Sequence, residues 1–252
     1  MFLRPGIELA NLSDVGLHRE QNEDYYCYAE PAGDEDFRRL GRLAVVADGM
    51  GGHVGGQVAS GIAIETVRDV FLAYPGDDPG EALLAAIQEA HAAIQAYARE
   101  HPELRGMGTT CTAVALRDRD LFYGHVGDSR LYLIRDSAIS QITDDHSLVG
   151  RLLREGAITP EEAAVHPDKN VLTAALGMDS AVPGDFSEAP RPLYPNDFLL
   201  MCTDGLHGLV NDRELLHITL SNPPREACHT LVRMANDRGG FDNITVQILK
   251  VI

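Results

Sequence analysis

The stretch RLAVVADGMGGHVGG (residues 42–56) joins an apolar run to a glycine-dense segment through one carboxylate, Asp48. The run LAVVA (43–47) is continuous and rich in β-branched residues, which predicts a buried strand. A turn alone needs about one or two glycines, and more than that follow Asp48. Gly49 in particular would let the backbone approach closely. The stretch raises the question of whether other aspartates occupy the same kind of position.

Further acidic residues stand beside predicted strands. They are Glu23 and Asp24 before residues 25–29, Asp128 after 120–127, Asp204 within 197–205, and Asp242 before 243–252. A single Asp-Gly pair is more often an ordinary turn, so each site taken alone carries little weight. Their recurrence at the ends of strands favours one shared site.

Carboxylates brought together repel one another and resist removal from water unless they share protons or bind cations. The four cysteines are widely spaced and form no Cys-x-x-Cys pair, so neither a zinc site nor a disulfide framework is indicated. The remaining candidate ligands are oxygen atoms, which suit Mg²⁺ and Mn²⁺. We therefore expect a site for Mg²⁺ or Mn²⁺, to which Gly49 adds its carbonyl oxygen.

The composition limits the classes of partner. The chain has 252 residues, a formal net charge of −17 and 44% hydrophobic residues, typical of a globular protein. Its negative field argues against nucleic acid and against anionic membranes as partners. No apolar run reaches about 20 residues, and no leader peptide is recognisable, so we expect a cytoplasmic protein. We also expect a monomer, because no long apolar stripe remains for a partner.

The apolar periodicity predicts the order of elements. Helical spacing covers residues 56–74, 79–100 and 212–238, strand-like runs cover 43–47, 109–117, 120–127, 130–135, 197–205 and 243–252, and residues 30–41 are predicted to be a loop. Short turns between successive strands favour antiparallel sheets. We predict a single α+β domain over residues 1–252. It is a four-layer α-β-β-α sandwich of two antiparallel sheets flanked by helices, with an inserted lobe at about 144–178.

Eight motifs resemble, in order, those of the metal-dependent type 2C serine/threonine protein phosphatases in their compact bacterial form. They are SDVGLHREQNEDYY (13–26), VVADGMGGHVGG (45–56), GMGTTCTAVAL (106–116), HVGDSRLYLI (125–134), ITDDHSLV (142–149), LTAALG (172–177), LLMCTDGLHGLV (199–210) and DNITVQIL (242–249). The resemblance covers nearly the whole chain.

The resemblance implies two metal ions, and a third that bacterial members often carry. Asp48 would bridge two ions, with the Gly49 carbonyl completing one coordination sphere. Asp204 and Asp242 would hold the first ion, and Asp128 would help to bind the third. In addition, Asp24, together with Glu23, would hold metal-bound waters, Asn243 would orient such a water, and Arg19 would grip the substrate phosphate.

The implied reaction is hydrolysis of phosphoserine and phosphothreonine on proteins, by direct attack of a metal-bridging water on phosphorus. Two ions can acidify that water and neutralise the phosphoryl oxygens, while an arginine offers a two-pronged donor. The implied catalytic residues are Arg19, Asp48, Asp204 and Asp242, and residues 144–178 would form a flap. The implied partners are phosphorylated proteins, among them a serine/threonine kinase and its targets.

One position departs from many eukaryotic relatives, which carry a histidine thought to protonate the leaving group. Met50 stands there, and His53 is not expected to replace it. We expect a metal-bound water, or no dedicated acid, in that role. Among the other polar residues, structural roles are predicted for Thr109, Thr110 and Ser129, and likewise for the histidines at 125, 146 and 207, the last of them in a loop.

Two alternative functions differ from a general phosphatase. A catalytically silent scaffold of the same fold would bind a signalling partner, but such proteins usually lose metal-binding aspartates. A phosphatase for an anti-sigma antagonist would use the same chemistry on another client, and such proteins often carry sensory domains.

Overall fold

Two antiparallel sheets lie face to face at the centre of the fold. The computed structural model describes residues 4–51, 54–178 and 184–252. For Ala164 it describes only the backbone. The strands are β1 (Ile7–Asp14), β2 (Asp24–Ala29), β3 (Arg42–Met50), β4 (Gly108–Thr109), β5 (Cys111–Arg117), β6 (Asp120–Val126), β7 (Arg130–Arg135), β8 (Ala138–Gln141), β9 (Asp185–Phe186), β10 (Arg191–Pro192), β11 (Phe198–Cys202) and β12 (Ile244–Val251). The helices are α1 (Asp34–Leu40), α2 (Val54–Leu72), α3 (Pro79–Glu100), α4 (Leu148–Arg154), α5 (Pro160–Ala164), α6 (Asp204–His207), α7 (Asp212–Ser221) and α8 (Pro224–Asp237), with a 3-10 turn at Pro102–Leu104.

The strand order is β1-β12-β11-β7-β8 in the five-stranded sheet. In the seven-stranded sheet it is β10-β6-β5-β3-β2, with β4 beside β3 and β9 beside β6. Neighbouring strands are antiparallel, as the short turns predict. Helices α2 and α3 cover the seven-stranded sheet, and α7 and α8 cover the five-stranded one. The predicted α-β-β-α sandwich is confirmed.

Alternation along single strands produces these layers. On β3, Val45 faces α2 and α3 while Val46 faces the opposite sheet. On β11, Leu200 faces α7 and α8 while Leu199 faces the opposite sheet. Because successive side chains of a strand point to opposite faces, strands that are apolar on both faces must be covered on both sides. This explains why the central runs are continuously apolar.

Two of the predicted elements are wrong in detail. Residues 30–41 contain helix α1, whose first turn carries Asp34, Glu35 and Asp36 and whose last turn carries Arg38 and Arg39. That charge order complements the helix dipole and stabilises a polar helix without an apolar pattern. Residues 212–238 form two helices, because Pro223 and Pro224 end one and start the next.

The predicted lobe at 144–178 contains α4 and α5 and is hydrogen-bonded to the sheets at its base. His146 N donates to the Gly127 carbonyl at 2.7 Å, and Leu176 exchanges two backbone hydrogen bonds with Thr109. The lobe thus starts and ends beside strand ends that carry predicted site residues. That it acts as a flap, and that residues 1–252 form a single domain, stay predictions. Within the described ranges, no helix has the length and apolarity that crossing a membrane requires.

Candidate active site

Asp24 and Asp48 face each other across strands β2 and β3. They are direct partners in the antiparallel register, which brings Cβ atoms to about 4.5–5.5 Å. Like charges in this position destabilise a sheet. Asp24 is buried, with 5% of its surface exposed, and Asp48 is half-buried. The pairing therefore requires something that compensates for the negative charge.

The backbone of Asp48 is held by two threonines, Thr109 at the end of β4 and Thr110 just before β5. Thr110 Oγ1 accepts a hydrogen bond from Asp48 N at 2.9 Å, and Thr110 N donates to the Asp48 carbonyl at 2.9 Å. Thr109 Oγ1 also donates to that carbonyl at 2.9 Å. On the other side, Gly49 N donates to the Glu23 carbonyl at 3.2 Å. These bonds fix the backbone from which the Asp48 side chain projects, and they specify the structural role that the sequence predicted for the two threonines.

The glycines after Asp48 answer the question that the sequence raised. A Cβ on Gly49 would lie 2.2 Å from the Gly56 carbonyl oxygen and 2.7 Å from the Glu23 carbonyl oxygen. A Cβ on Gly56 would lie 1.9 Å from Glu23 Oε2 and 2.8 Å from Gly49 C. The first turns of α2 therefore pack directly on the end of β3, and no side chain fits between them.

Asp204 is the first residue of α6, two residues after β11 ends, so it does not lie on the strand itself. Thr203, just before it, is buried and donates from Oγ1 to Asp24 Oδ2 at 2.9 Å. The same hydroxyl accepts from Thr245 N at 3.0 Å. The Asp204 and Asp48 carboxyls interact electrostatically, because the charge of Asp204 helps to raise the pKa of Asp48. One threonine thus connects the two sheets at the point where three predicted ligands meet.

Asp242 and Asn243 close the site from the loop before β12. Asp242 Oδ2 accepts from the Arg19 guanidinium at 2.7 Å, and its Oδ1 accepts from Asn243 N at 2.9 Å. Asn243 Oδ1 accepts from Glu23 N at 2.8 Å, and its Nδ2 donates to the carbonyls of Val15 and Gln21. Both amide hydrogens of Asn243 are therefore used within the chain, and its side chain ties the N-terminal loop to the site.

Asp128 lies at the edge of the site, between β6 and β7. It is 9% exposed, and its carbonyl accepts from His207 Nε2 at 2.9 Å. His207 is half-buried and ends α6, so the prediction of a loop histidine is wrong. Burial lowers the pKa of His207 to about 3, which keeps it neutral at pH 7. Nearby, Arg130 holds Asp145 of the lobe through a 2.7 Å ion pair.

The carboxylates perturb one another. Burial raises the pKa of Asp24 to about 7 and the pKa of Asp128 to about 8. Among the neighbouring charges, that of Asp204 raises both pKa values most. Burial, then Asp242, raises the pKa of Asp204 to about 6. The pKa of Asp48 rises well above its usual value through burial and through Asp24, Asp204, Asp128 and Asp242, in that order. The five predicted aspartates therefore belong to one electrostatic cluster.

The sequence matches the family described as protein phosphatase 2C over residues 36–239, most of the chain. The chain belongs to the protein phosphatase 2C family. The resemblance predicted from its motifs is thereby confirmed, and the chain is an enzyme, a metal-dependent protein phosphatase.

Relatives of this phosphatase align over nearly its whole length. Protein phosphatase PhpP of Streptococcus pneumoniae is 37% identical over 254 residues, covering 97% of this chain and 98% of that protein. A crystal structure of the Mycobacterium tuberculosis serine/threonine phosphatase PstP/Ppp superposes with a TM-score of 0.86 at 38% identity, covering 98% of this chain and 99% of that one. The catalytic domain of PstP in complex with two manganese ions gives 0.83 at 37% identity, with the same coverage.

The residues of this phosphatase fit divalent ions. Asp24 Oδ1 and Asp204 Oδ1 are buried and have no hydrogen-bond partner among the described residues. A buried carboxylate oxygen without a partner is costly, and a hard cation satisfies it. Within the described ranges, no three acidic, histidine or cysteine side chains already form a coordination sphere. Arg19 offsets the charge of Asp242 through an ion pair at 2.7 Å.

The structure brings together every site residue that the sequence predicts, although their roles stay predictions. Glu23 is buried beside Gly49 and Gly56, and Met50 ends β3. His53 lies outside the described residues. Sequence reasoning missed Thr203, for which the adjacency to Asp204 was the available signal. Structural roles for the histidines at 125 and 146 agree with their hydrogen bonds to Thr112 and to Asp185 and Gly127.

The metal-free phosphatase should lose stability as the pH rises from about 6 to about 8. The pKa values of Asp204, Asp24 and Asp128 in the folded state, about 6, 7 and 8, exceed the value of about 3.9 of an unfolded chain. The folded state therefore binds more protons above pH 4, and the stabilisation is lost as the pH rises through the folded values. We expect the melting temperature in EDTA to fall by about 5 °C or more over this interval, measured by calorimetry.

The control for this prediction is Asp24→Asn, which removes one titrating group and should flatten the slope. Addition of Mn²⁺ should remove the slope as well, because the ion favours the ionised carboxylates. A metal-free melting temperature that rises from pH 6 to pH 8 would contradict the pKa directions.

Proposed function

We propose that this phosphatase hydrolyses phosphoserine and phosphothreonine on proteins in a reaction that requires Mg²⁺ or Mn²⁺. The observation that carries the proposal is the cluster in which Asp24, Asp48 and Asp204 converge from both sheets, with two buried oxygen atoms that have no hydrogen-bond partner among the described residues. Its relatives are named serine/threonine phosphatases. The silent-scaffold alternative is not favoured, because the aspartates of the cluster are all present.

The predicted ligands are the carboxylates of Asp48, Asp204 and Asp242 and the carbonyl of Gly49, with Asp24 beside them. When bound, the divalent ions supply an acidified water as nucleophile and positive charge for the phosphoryl oxygens. The chain's own contribution is to hold these oxygen atoms in position against their mutual repulsion. The threonine clamps on Asp48 and Asp24 do so through backbone and hydroxyl bonds that do not depend on the ions.

Arg19 binds the substrate phosphate in this proposal. Its guanidinium is 44% exposed at the side chain and donates one hydrogen bond, to Asp242. An arginine has five N–H donors, so others remain for a phosphate group. A metal ion on Asp242 would weaken the hold of that carboxylate on Arg19. The residue is therefore placed to exchange a carboxylate partner for a phosphate partner.

The leaving alkoxide takes its proton from water in this proposal. Met50 has no acidic proton, and the Nε2–H of His207 is committed to the Asp128 carbonyl. The low pKa of His207 also leaves it without a second proton to donate near neutral pH.

The proposal is tested by measuring hydrolysis of p-nitrophenyl phosphate and of a phosphothreonine peptide. We expect turnover with Mn²⁺ or Mg²⁺ and loss of turnover in EDTA, restored by adding metal. Equal turnover with and without EDTA would contradict the proposal. So would hydrolysis of p-nitrophenyl phosphate without any hydrolysis of phosphoserine or phosphothreonine peptides.

Asp128→Asn should remove one of three metal ions and leave two. Asp128 approaches the cluster from between β6 and β7, apart from the strands that carry Asp24 and Asp48, so its loss should spare their ions. We expect kcat to fall by about tenfold, as when a supporting residue of a metal site is lost. Metal content is measured by isothermal titration and by elemental analysis. Loss of all metal, or retention of three ions, would contradict a separate third site.

The implied partners follow from the substrate class. Phosphorylated proteins are the substrates, and we propose that a serine/threonine kinase and its targets are among them. A monomer in the cytoplasm is proposed from the composition. Light scattering on the purified chain tests the oligomeric state, and phosphoproteomics after removal of the enzyme tests the targets.

A further inference from the structure

A groove of about 620 Å³ begins where β3 ends, beside the catalytic cluster, and the last residues of the lobe at 144–178 line one side of it. Its walls include Met50, Arg99, Pro102, Arg105, Met107 and Met178. Met50 follows Asp48 by two residues, which is about 7 Å along a strand. Met50 also pairs with Gly108, next to the Thr109 that holds the Asp48 carbonyl. One wall of the groove therefore lies on the same strand as Asp48.

Both charged residues that line the groove among the described residues are arginines, in a chain of net charge −17. Arg99 and Arg105 are exposed, and neither has an ion pair or side-chain hydrogen bond within the described part of the chain. Arg99 lies in the last turn of α3, where a cation favours the helix. Arg105 follows the 3-10 turn and has no such role. Two unpaired cations therefore face one groove beside an acidic site.

The remaining walls suit an extended peptide of variable sequence. Met50 and Met178 are half-buried, and methionine side chains adapt to different neighbours. Gln95 Nε2 donates to the Met178 carbonyl at 2.8 Å and so connects α3 to the segment opposite. The groove thus combines adaptable apolar contact with positive charge at its rim.

We propose that this groove binds an anionic side chain of the substrate, a few residues from the phosphorylated serine or threonine. The inference rests on the proposed function and adds to it a preference among phosphoproteins. Charge complementarity selects the occupant, because the surrounding negative field repels acidic peptides everywhere except near such cations. A carboxylate and a second phosphate share this chemistry, and the phosphate carries more charge.

The test compares phosphothreonine peptides that carry glutamate, phosphoserine or glutamine at successive positions around the phosphothreonine. We expect the wild-type enzyme to have the lowest KM for the phosphoserine peptides at a favoured position, then for glutamate. In Arg99→Gln/Arg105→Gln, the KM for the glutamate peptide should rise by about fivefold with kcat unchanged. The KM for the glutamine peptide and the turnover of p-nitrophenyl phosphate should stay the same.

The matched control is Arg225→Gln/Arg233→Gln, which removes two exposed arginines from α8 on the far helix layer. It makes the same change in net charge. It should leave unchanged the KM ratio, defined as the KM for the glutamine peptide divided by the KM for the glutamate peptide. Arg99→Glu/Arg105→Glu should reverse the preference, so that a lysine-containing peptide becomes the better substrate. Raising the salt concentration should reduce the wild-type preference.

An unchanged ratio of KM values in both groove variants, with metal-dependent turnover of p-nitrophenyl phosphate intact, would overturn the inference alone. Absence of that turnover in the wild-type enzyme would overturn the proposed function instead. If the KM ratio fell as much in the α8 control as in the groove variant, the effect would be due to net charge. That result would also overturn the inference. Melting temperatures of all variants confirm that each is folded.

Discussion

Asp48→Asn should lower kcat by at least about a thousandfold and at the same time raise the melting temperature of the metal-free enzyme. The loss of activity follows because Asp48 stands between Asp24 and Asp204 and is the carboxylate on which the cluster converges. Removal of a single group that stabilises developing charge typically costs about 100- to 1000-fold in rate. A residue that bridges two ions should lie at or beyond the upper end.

The gain in stability follows from the same geometry. Without metal, burial and four neighbouring aspartates raise the pKa of Asp48, which means that its ionised form is unfavourable in the folded state. Asparagine keeps the shape and removes that charge. We therefore expect a higher melting temperature than that of the wild type in EDTA at pH 8.

The measurement combines steady-state kinetics with calorimetry in EDTA and in Mn²⁺. Asp77→Asn is the matched control, because Asp77 is exposed in the loop before α3 and its loss changes the net charge equally. The control should keep full activity, the wild-type melting temperature in EDTA and the stabilisation by Mn²⁺. Wild-type activity in Asp48→Asn, or a lower melting temperature in EDTA, would contradict the cluster as we describe it.

Gly205→Ala should destabilise the folded protein by about 3 kcal/mol and abolish activity with it. A Cβ on Gly205 would lie 2.0 Å from the carbonyl oxygen of Asn243 and 2.9 Å from its carbonyl carbon. Both atoms belong to the backbone of the residue just before β12, so a rotation of a side chain does not relieve the contact. Overpacking of this kind costs about 1–3 kcal/mol, and the displaced groups here are the neighbours Asp204 and Asn243.

The matched control is Gly61→Ala in α2, where no described heavy atom apart from the neighbouring residues and backbone of the same helix lies within 4 Å of the added Cβ. Alanine is a better helix former than glycine by about 1 kcal/mol, so this variant should be more stable than the wild type and fully active. Urea unfolding in EDTA gives both free energies, and metal-dependent turnover gives the activities. Equal stability of the two variants would show that the approach of α6 to β12 is looser than the structure has it.

Much of the fold was predictable because buried strands and helices place apolar residues at characteristic spacings in the sequence. The continuous apolar runs at 43–47 and in β11 correctly predict strands covered on both faces. Helix α1 was not predictable in this way, because charge order rather than apolar periodicity stabilises it. The break at Pro223 was visible in the sequence but was outweighed by the helical spacing around it.

The candidate site was predictable as a set of residues but not as a set of contacts. Aspartates beside apolar runs and glycines predict a cation site whichever way the chain folds. The hydrogen bond from Thr203 to Asp24 joins residues 179 positions apart, and that from Arg19 to Asp242 joins residues 223 positions apart. No local pattern encodes such pairs, since they depend on the two sheets meeting face to face.

The amino-acid sequence by itself determined the family, the oxygen-rich ligand set and the strands and turns that carry it, because these depend on residue type and short spacing. Only the tertiary structure decided that Asp24 and Asp48 oppose each other, that threonine hydroxyls clamp both, and that Arg99 and Arg105 share one groove with Met50. The physical reason is that repulsion, desolvation and close packing act between atoms in space, and folding places distant parts of the chain within their range.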